Sequence, residues 1–296
     1  MTVDLFNPSK SGFIVTSIEG LTPPKAVINN TELATSDGAI NNSTKIGTRN
    51  IVINLLFDLD HNAEELRLKT YKYFPVKRNV TIWFQTENRK GYISGIVESN
   101  EPNIFSKWEG TQISILCPYP FFKGLDEDSG STISSTEFTM ALFEFPFNNP
   151  SLTNRLIEFG MVSNDCTFEV EYEGDAEIGV TIEVNAVNGT IGGVLTFVCM
   201  DTDEVLTFDT NKISNTWPSL GNGLLAGDKL TITTTVGNKK AQLRRNAILY
   251  NVLNCVSLDS EWFSLKKGIN KFSFNIESGV ENARITFKNN ILYEGL

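Results

Sequence analysis

A single histidine, His61, stands beside Asp58 and Asp60. One imidazole excludes any mechanism that needs two, and it removes Ser-His-Asp or Cys-His machinery unless His61 itself serves. No G-x-S-x-G accompanies it. The neighbouring carboxylates could hold a metal, but ligand sets usually include more than one donor that is not a carboxylate, so a solvent-facing loop histidine is expected. Asp126-Glu127-Asp128 and Asp201-Thr202-Asp203-Glu204 are the acidic clusters. Both could offer oxygens to calcium, yet neither has EF-hand spacing, and Asp is simply a good turn residue. No two carboxylates can be singled out as the acid and base of glycoside hydrolysis. Lys239, Lys240, Arg244 and Arg245 form a dense basic patch after the Gly237-Asn238 turn. It is expected to decorate a hairpin, where it could meet an acidic neighbour or an anionic cell-wall polymer. Trp217, followed by Pro218 in a loop, is the candidate for stacking on a sugar ring, whereas Trp262 is expected to pack inward. The four cysteines, Cys117, Cys166, Cys199 and Cys255, lie far apart with no C-x-x-C pair, and four reduced thiols are expected. No catalytic residue, metal ligand or cofactor is assigned.

The elements that carry these residues read as mainly β. Aromatic and β-branched runs alternate with Gly, Asn, Asp and Pro. One helix is expected after Asn62, whose side chain can cap the chain while Glu65 sits at the third helical position. Leu66, Thr70 and Tyr73 then share a face, and Pro75 ends the helix. Runs at 92–98 and 111–117 read as strands joined by a polar loop. Ile113 and Ile115 alternate with Gln112 and Ser114, and Pro118 and Pro120 stop the ladder because neither can donate a backbone hydrogen bond. Residues 34–48, ATSDGAINNSTKIGT, are small and polar, and longer than an ordinary connection. They suit a solvated loop or a long hairpin whose tip packs on a neighbouring subunit.

The 296 residues suggest two domains. The division expected is 1–130, then a linker and first strand over 131–150 that includes the apolar run 138–147, then 151–296. About ten short strands after residue 150 suggest an antiparallel sandwich. The net charge of −10 is spread over both halves, which argues against a nucleic-acid-binding domain, since phosphate contacts need clustered Lys and Arg. No run is apolar for the roughly 18–20 residues of a membrane span. The opening MTVDLFNPSKSGF lacks the plan of a secretory signal, so synthesis in a cytoplasm is expected.

The order of several motifs carries more than any one of them. FIVTSIEGLTPP (13–24), GTRNIVINLLF (47–57), VTIWFQTENRKGYISGIVES (80–99) and TQISILCPYPFF (111–122) follow one another. This series resembles the N-terminal domain of the phage distal tail protein family, the hub proteins of siphovirus-type tail tips. GDKLTITTTVGNKKAQL, WFSLKKGINKFSF and ITFKNNILYEGL resemble, more loosely, the C-terminal sandwich that many of these proteins carry.

The resemblance implies an N-terminal β-sandwich with one α-helix that forms a belt. It also implies a C-terminal antiparallel β-sandwich of galectin-like or carbohydrate-binding-module-like type. Six copies would form a homo-hexameric ring at the virion tail tip. One face would meet the tail tube protein and the other a baseplate or fibre protein, with the genome passing through the lumen. In this family an extended arm from the region of residues 34–48 helps to close the ring, and Asn41, Asn42, Lys45 and Arg49 are the candidate inter-subunit residues. The alternative is an adhesion protein whose C-terminal sandwich binds host cell-wall glycan, with Trp217 as the candidate contact.

Overall fold

The computed structural model describes residues 2–33, 37–58, 60–125, 133–137 and 165–296, with backbone alone at 133–137 and 165–166. Asp126-Glu127-Asp128, the linker, the apolar run 138–147 and the tip residues 34–36 lie outside the described residues, and so does the Cys166 side chain.

In chain order the first elements are α1 (Pro8–Ser11), β1 (Phe13–Glu19), β2 (Ala26–Glu32), β3 (Ala39–Ile46), β4 (Arg49–Phe57) and α2 (Ala63–Tyr73). Then come β5 (Asn79–Gln85), β6 (Lys90–Asn103), β7 (Gly110–Cys117), β8 (Phe122–Gly124) and β9 (Ile133–Glu137). The next are β10 (Asp165–Tyr172), β11 (Ile178–Gly179), β12 (Thr181–Ala186), β13 (Gly192–Cys199), β14 (Glu204–Asp209) and α3 (Ile213–Thr216). The last are β15 (Lys229–Thr233), β16 (Lys240–Arg245), β17 (Ile248–Asn251), β18 (Ser264–Leu265), β19 (Gly268–Ser278), β20 (Ala283–Asn290) and β21 (Leu292–Tyr293).

The chain divides into two compact units, Met1–Leu125 with Leu292–Leu296, and Asp126–Ile291. The second unit is thus an insertion into the first. The last five residues, expected to belong to the second sandwich, return instead to the first unit. Leu292 and Tyr293 pair with Lys123 and Phe122 there, and Leu296 packs against that unit's core.

In the first unit a seven-stranded sheet runs in the order β1-β4-β7-β6-β8-β21, with β5 also on β6. Alternation decides its two faces. Ile51, Ile53, Leu55, Ile113, Ile115, Ile93 and Val97 point inward and are buried, as period-2 patterning dictates. Helix α2 covers part of this core with Leu66 and Thr70. Its start follows the sequence: the Asn62 side chain accepts from the Glu64 and Glu65 amides at 2.9 and 3.4 Å. Strand β6 is longer than its sequence suggested, because a bulge at Val97/Ser99 lets it bend and continue on β7 to Asn103. Close packing in this bend needs Gly95: a Cβ there would lie 2.7 Å from both Cys117 Sγ and Ile115 Cγ2.

The second unit is an antiparallel sandwich. One sheet has the order β10-β19-β13-β14 and the other β17-β16-β15-β12-β20-β9. Phenylalanines join the two sheets. Phe287 of β20 meets Phe168, Phe197 and Phe272 of the facing sheet, with ring centroids 4.9, 6.1 and 5.3 Å apart. Arg245 proves not to be a surface residue of the basic patch. It is buried on β16 and its guanidinium holds Asp228 through three bonds of 2.5 to 3.0 Å, while also donating to the Leu220 and Gly223 carbonyls. Alternation forces this inward direction, and only a fully paired charge is tolerable there.

Two predictions come from this packing. Glu183 lies between Lys229 and Lys288, 2.8 Å from each. Burial alone would raise its pKa, but the two ammonium groups outweigh burial and hold it below the ordinary 4.5. The group therefore stabilises the fold above pH 4.5, and the contribution fades as pH falls through its lowered pKa. Acid unfolding of Glu183→Gln, followed by circular dichroism, should lose less stability between about pH 5 and pH 2 than the parent does. Cys117, Cys199 and Cys255 are buried and unbridged, and burial pushes the thiols of Cys117 and Cys255 up to about 11. A maleimide should label none of these three at pH 7 until denaturant is added, as peptide mass mapping will show.

Candidate assembly surfaces

Two features of the first unit stand out: a buried guanidinium that gathers the fold, and a ribbon that stands clear of it. Arg49 opens β4 at an inward-facing position and is 4% exposed. Its Nε donates to the Pro120 carbonyl at 2.6 Å, and Nη1 donates to the Gly20 and Thr22 carbonyls at 2.5 and 2.9 Å. Nη2 donates to the Glu294 carbonyl at 2.5 Å. The guanidinium also sits 4.5 Å from the centroid of the Phe122 ring. Gly20 makes this possible, since it turns at φ +83° where a Cβ would strike the Asn50 carbonyl. Arg89 holds the same returning segment from a second side, donating to the Gly295 carbonyl and lying 4.6 Å over the Tyr293 ring. Burial pulls the Arg49 pKa below its ordinary value, and nearby Cys117 and Glu294 act the other way. An arginine so placed keeps its charge.

The ribbon is the hairpin β2–β3. It forms a two-stranded sheet of its own, registered from Ala26↔Ile46 to Glu32↔Ala39 with a bulge at Asn29/Asn30. Every residue of β2, and every residue of β3 except Ile46, is exposed. Polar side chains lace it: Asn29 Nδ2 donates to Ser43 Oγ at 2.8 Å and Asn42 Nδ2 to Thr31 Oγ1 at 2.6 Å. Val27, Ile28 and Ile40 are open to solvent along its length, 44%, 57% and 55% exposed.

Comparison with known proteins bears on what such a chain is for. Residues 189–290 match the family model of the siphovirus-type tail component, C-terminal domain. The matched stretch lies within the second unit. A crystal structure of the Dit protein of phage SPP1, described as a paradigm of the hub adsorption apparatus in phages infecting Gram-positive bacteria, shares the fold. It aligns at TM-score 0.62 and 13% identity over 95% of each chain. The phage P2 baseplate in its activated conformation with calcium aligns at TM-score 0.49 and 11% identity, covering 97% of this chain and 92% of that one. A search of curated proteins found no match. Domain and fold together support a structural distal tail protein.

The residues singled out from sequence separate into distinct places. Asn41, Asn42 and Lys45 all lie on β3 of the exposed hairpin, Asn41 bonding Thr44 Oγ1 at 3.0 Å. Arg49 does not join them. Expected at an inter-subunit contact, it is buried one strand later, with its guanidinium directed at carbonyls of its own chain. Trp217 lies in the other unit and is 36% exposed; its Nε1 donates to the Asn251 carbonyl at 3.0 Å and its ring meets Tyr250 edge-on at 5.3 Å. His61 stands 3.6 Å from Asp58, and among the described residues no group of three or more His, Cys, Asp or Glu could hold a metal. The clamp role of Arg49 escaped the sequence reading. Its one signal is an arginine at the head of a β4 run whose alternate residues are apolar, a place where an inward cation must be paired.

Removing this guanidinium leaves four carbonyls short of a charged donor. Arg49→Met should lower unfolding free energy by about 3 kcal/mol or more, since each hydrogen bond to a charged group contributes roughly 1.5–3 kcal/mol. Arg49→Lys should recover only part, because one ammonium cannot span the same fork. Urea titration of the three proteins checks both statements.

Proposed function

We propose that the chain is a non-catalytic hub protein of a long-tailed phage or phage-tail-like particle. Six copies close a ring around the tail channel through the first unit. The ring joins the tail tube protein on one side to the baseplate or fibre protein on the other, at the virion tail tip. One observation carries this reading: the solvent-exposed strands β2 and β3. A two-stranded ribbon is at best marginally stable alone in water, and its outer edges offer unpaired backbone groups. A neighbouring copy that pairs with an edge and covers Val27, Ile28 and Ile40 supplies what the ribbon lacks. Asn41, Asn42 and Lys45 then contact that neighbour.

The second unit supports a further reading, host-glycan binding at Trp217. Its ring is held rigidly by the Asn251 carbonyl and Tyr250 while part of it stays exposed. A fixed aromatic surface of this kind suits stacking on a sugar ring. Binding of cell-wall glycan that Trp217→Ala abolishes would establish this role, and equal binding by both proteins would remove Trp217 from it.

The ring is tested by light scattering over a wide concentration range, alone and with tail tube protein present. The full chain should give a ring-sized species. Replacing residues 28–44 with a short Gly-Ser turn should dissolve it while leaving the melting temperature within a few degrees. A mass that ignores the hairpin deletion overturns the arm, and a monomer under every condition overturns the ring.

A further inference from the structure

The sequence has two Asn-Gly pairs, Asn188-Gly189 and Asn222-Gly223, both in connections of the second unit. In such a pair the backbone nitrogen of the glycine can reach the carbonyl carbon of the asparagine side chain, because glycine has no Cβ to obstruct the approach. The fold treats the two pairs differently.

Asn222-Gly223 is held. Gly223 is buried at φ +80°; its N–H donates to the Thr210 carbonyl at 3.3 Å, and its carbonyl accepts from Arg245 Nη2 at 3.1 Å. A nitrogen so engaged must break a bond before it can turn toward the Asn222 side chain. Asn188-Gly189 is open. Asn188 is exposed and Gly189 half-buried in the connection from β12 to β13. Among the described residues, neither the Asn188 side chain nor the Gly189 N–H has a hydrogen-bond partner. The chain on either side is pinned. Val187 N donates to the Asn282 carbonyl at 2.8 Å, and Ile191 exchanges two backbone bonds with Leu224 at 2.9 and 2.8 Å. The Asn282 side chain donates to the Thr190 carbonyl at 3.3 Å and lies so near Gly189 that a Cβ there would be 2.7 Å from its Cγ.

We propose that Asn188 is a site of spontaneous deamidation in the folded protein, and that Asn222 is protected from it. The Gly189 nitrogen gives its proton to water and attacks Asn188 Cγ. A C–N bond forms, the Cγ–Nδ2 bond breaks, and Nδ2 takes up a proton and departs as ammonia. The five-membered succinimide then takes up one water, which is the only co-reactant. Opening at the Cγ–N bond leaves an aspartate at position 188. Opening at the bond to the main-chain carbonyl carbon leaves an isoaspartate, with the backbone rerouted through Cβ and Cγ. Either product adds one negative charge to an exposed connection. The isoaspartyl link also inserts one extra atom into a backbone stretch of three residues that is pinned at Val187 and Ile191, so it strains the bonds to Asn282 and Leu224. The aspartyl product keeps the backbone path and leaves those bonds in place.

The test incubates the full chain in mildly alkaline buffer, below its melting temperature, and follows both pairs by peptide mass mapping with chromatography that separates aspartyl from isoaspartyl peptides. In the folded chain Asn188 should convert roughly tenfold or more faster than Asn222, the factor that corresponds to one hydrogen bond broken on the way to attack. In denaturant, where both pairs are free, the two rates should converge. Equal rates in the folded chain, or conversion of Asn188 in denaturant alone, would overturn the proposal. The converted protein, collected by ion exchange on its added charge, should melt below an Asn188→Asp variant, which should itself melt with the parent. Converted protein that melts with Asn188→Asp would overturn the strained connection.

Discussion

The first unit depends on one buried cation. Arg49 draws its four hydrogen bonds from three separate segments: the Gly20–Thr22 turn, the Pro120 corner and the returning tail at Glu294. None of these carbonyls belongs to a sheet ladder partner of Arg49, so without it each would need water in a closed site. The guanidinium is suited to this because it offers five donors in a rigid plane and can lie against the Phe122 ring at the same time. A residue at the head of one strand thus fixes the ends of three others.

That clamp has an architectural consequence. The second unit leaves the first after β8 and rejoins it at β21, and these two strands pair with each other. An inserted unit anchored at both ends cannot be cast off by fraying of a single terminus. Arg245 with Asp228 plays a parallel part inside the inserted unit, tying β16 to the Leu220 and Gly223 turns. Each unit thus places an arginine where its core meets its irregular chain, Arg49 on four backbone carbonyls and Arg245 on a carboxylate and two carbonyls.

Against these rigid parts stands the exposed β2–β3 ribbon. It presents apolar and polar groups without a core beneath them, in a unit whose interior is otherwise closed by Leu66, Phe13 and Phe122. It offers β edges, amides and apolar side chains, the materials of protein contacts rather than of proton transfer.

The sequence by itself determined what short-range physics governs. The Asn62 cap and the 3.6-residue spacing of Leu66 and Thr70 specify α2, and period-2 alternation at Ile113 and Ile115 specifies which face of β7 is buried. The second sandwich was legible from turn residues placed between apolar runs. What the tertiary structure alone decided is which distant groups share a site. Arg49 was read as a surface contact because a polar stretch precedes it, whereas its partners lie up to 245 positions away. The inward turn of Arg245 needed Asp228, 17 positions back, to be placed beside it. The β21 return and the long β6 are also long-range outcomes. Local pattern fixes the direction of a side chain, but only the packed chain supplies what that side chain meets.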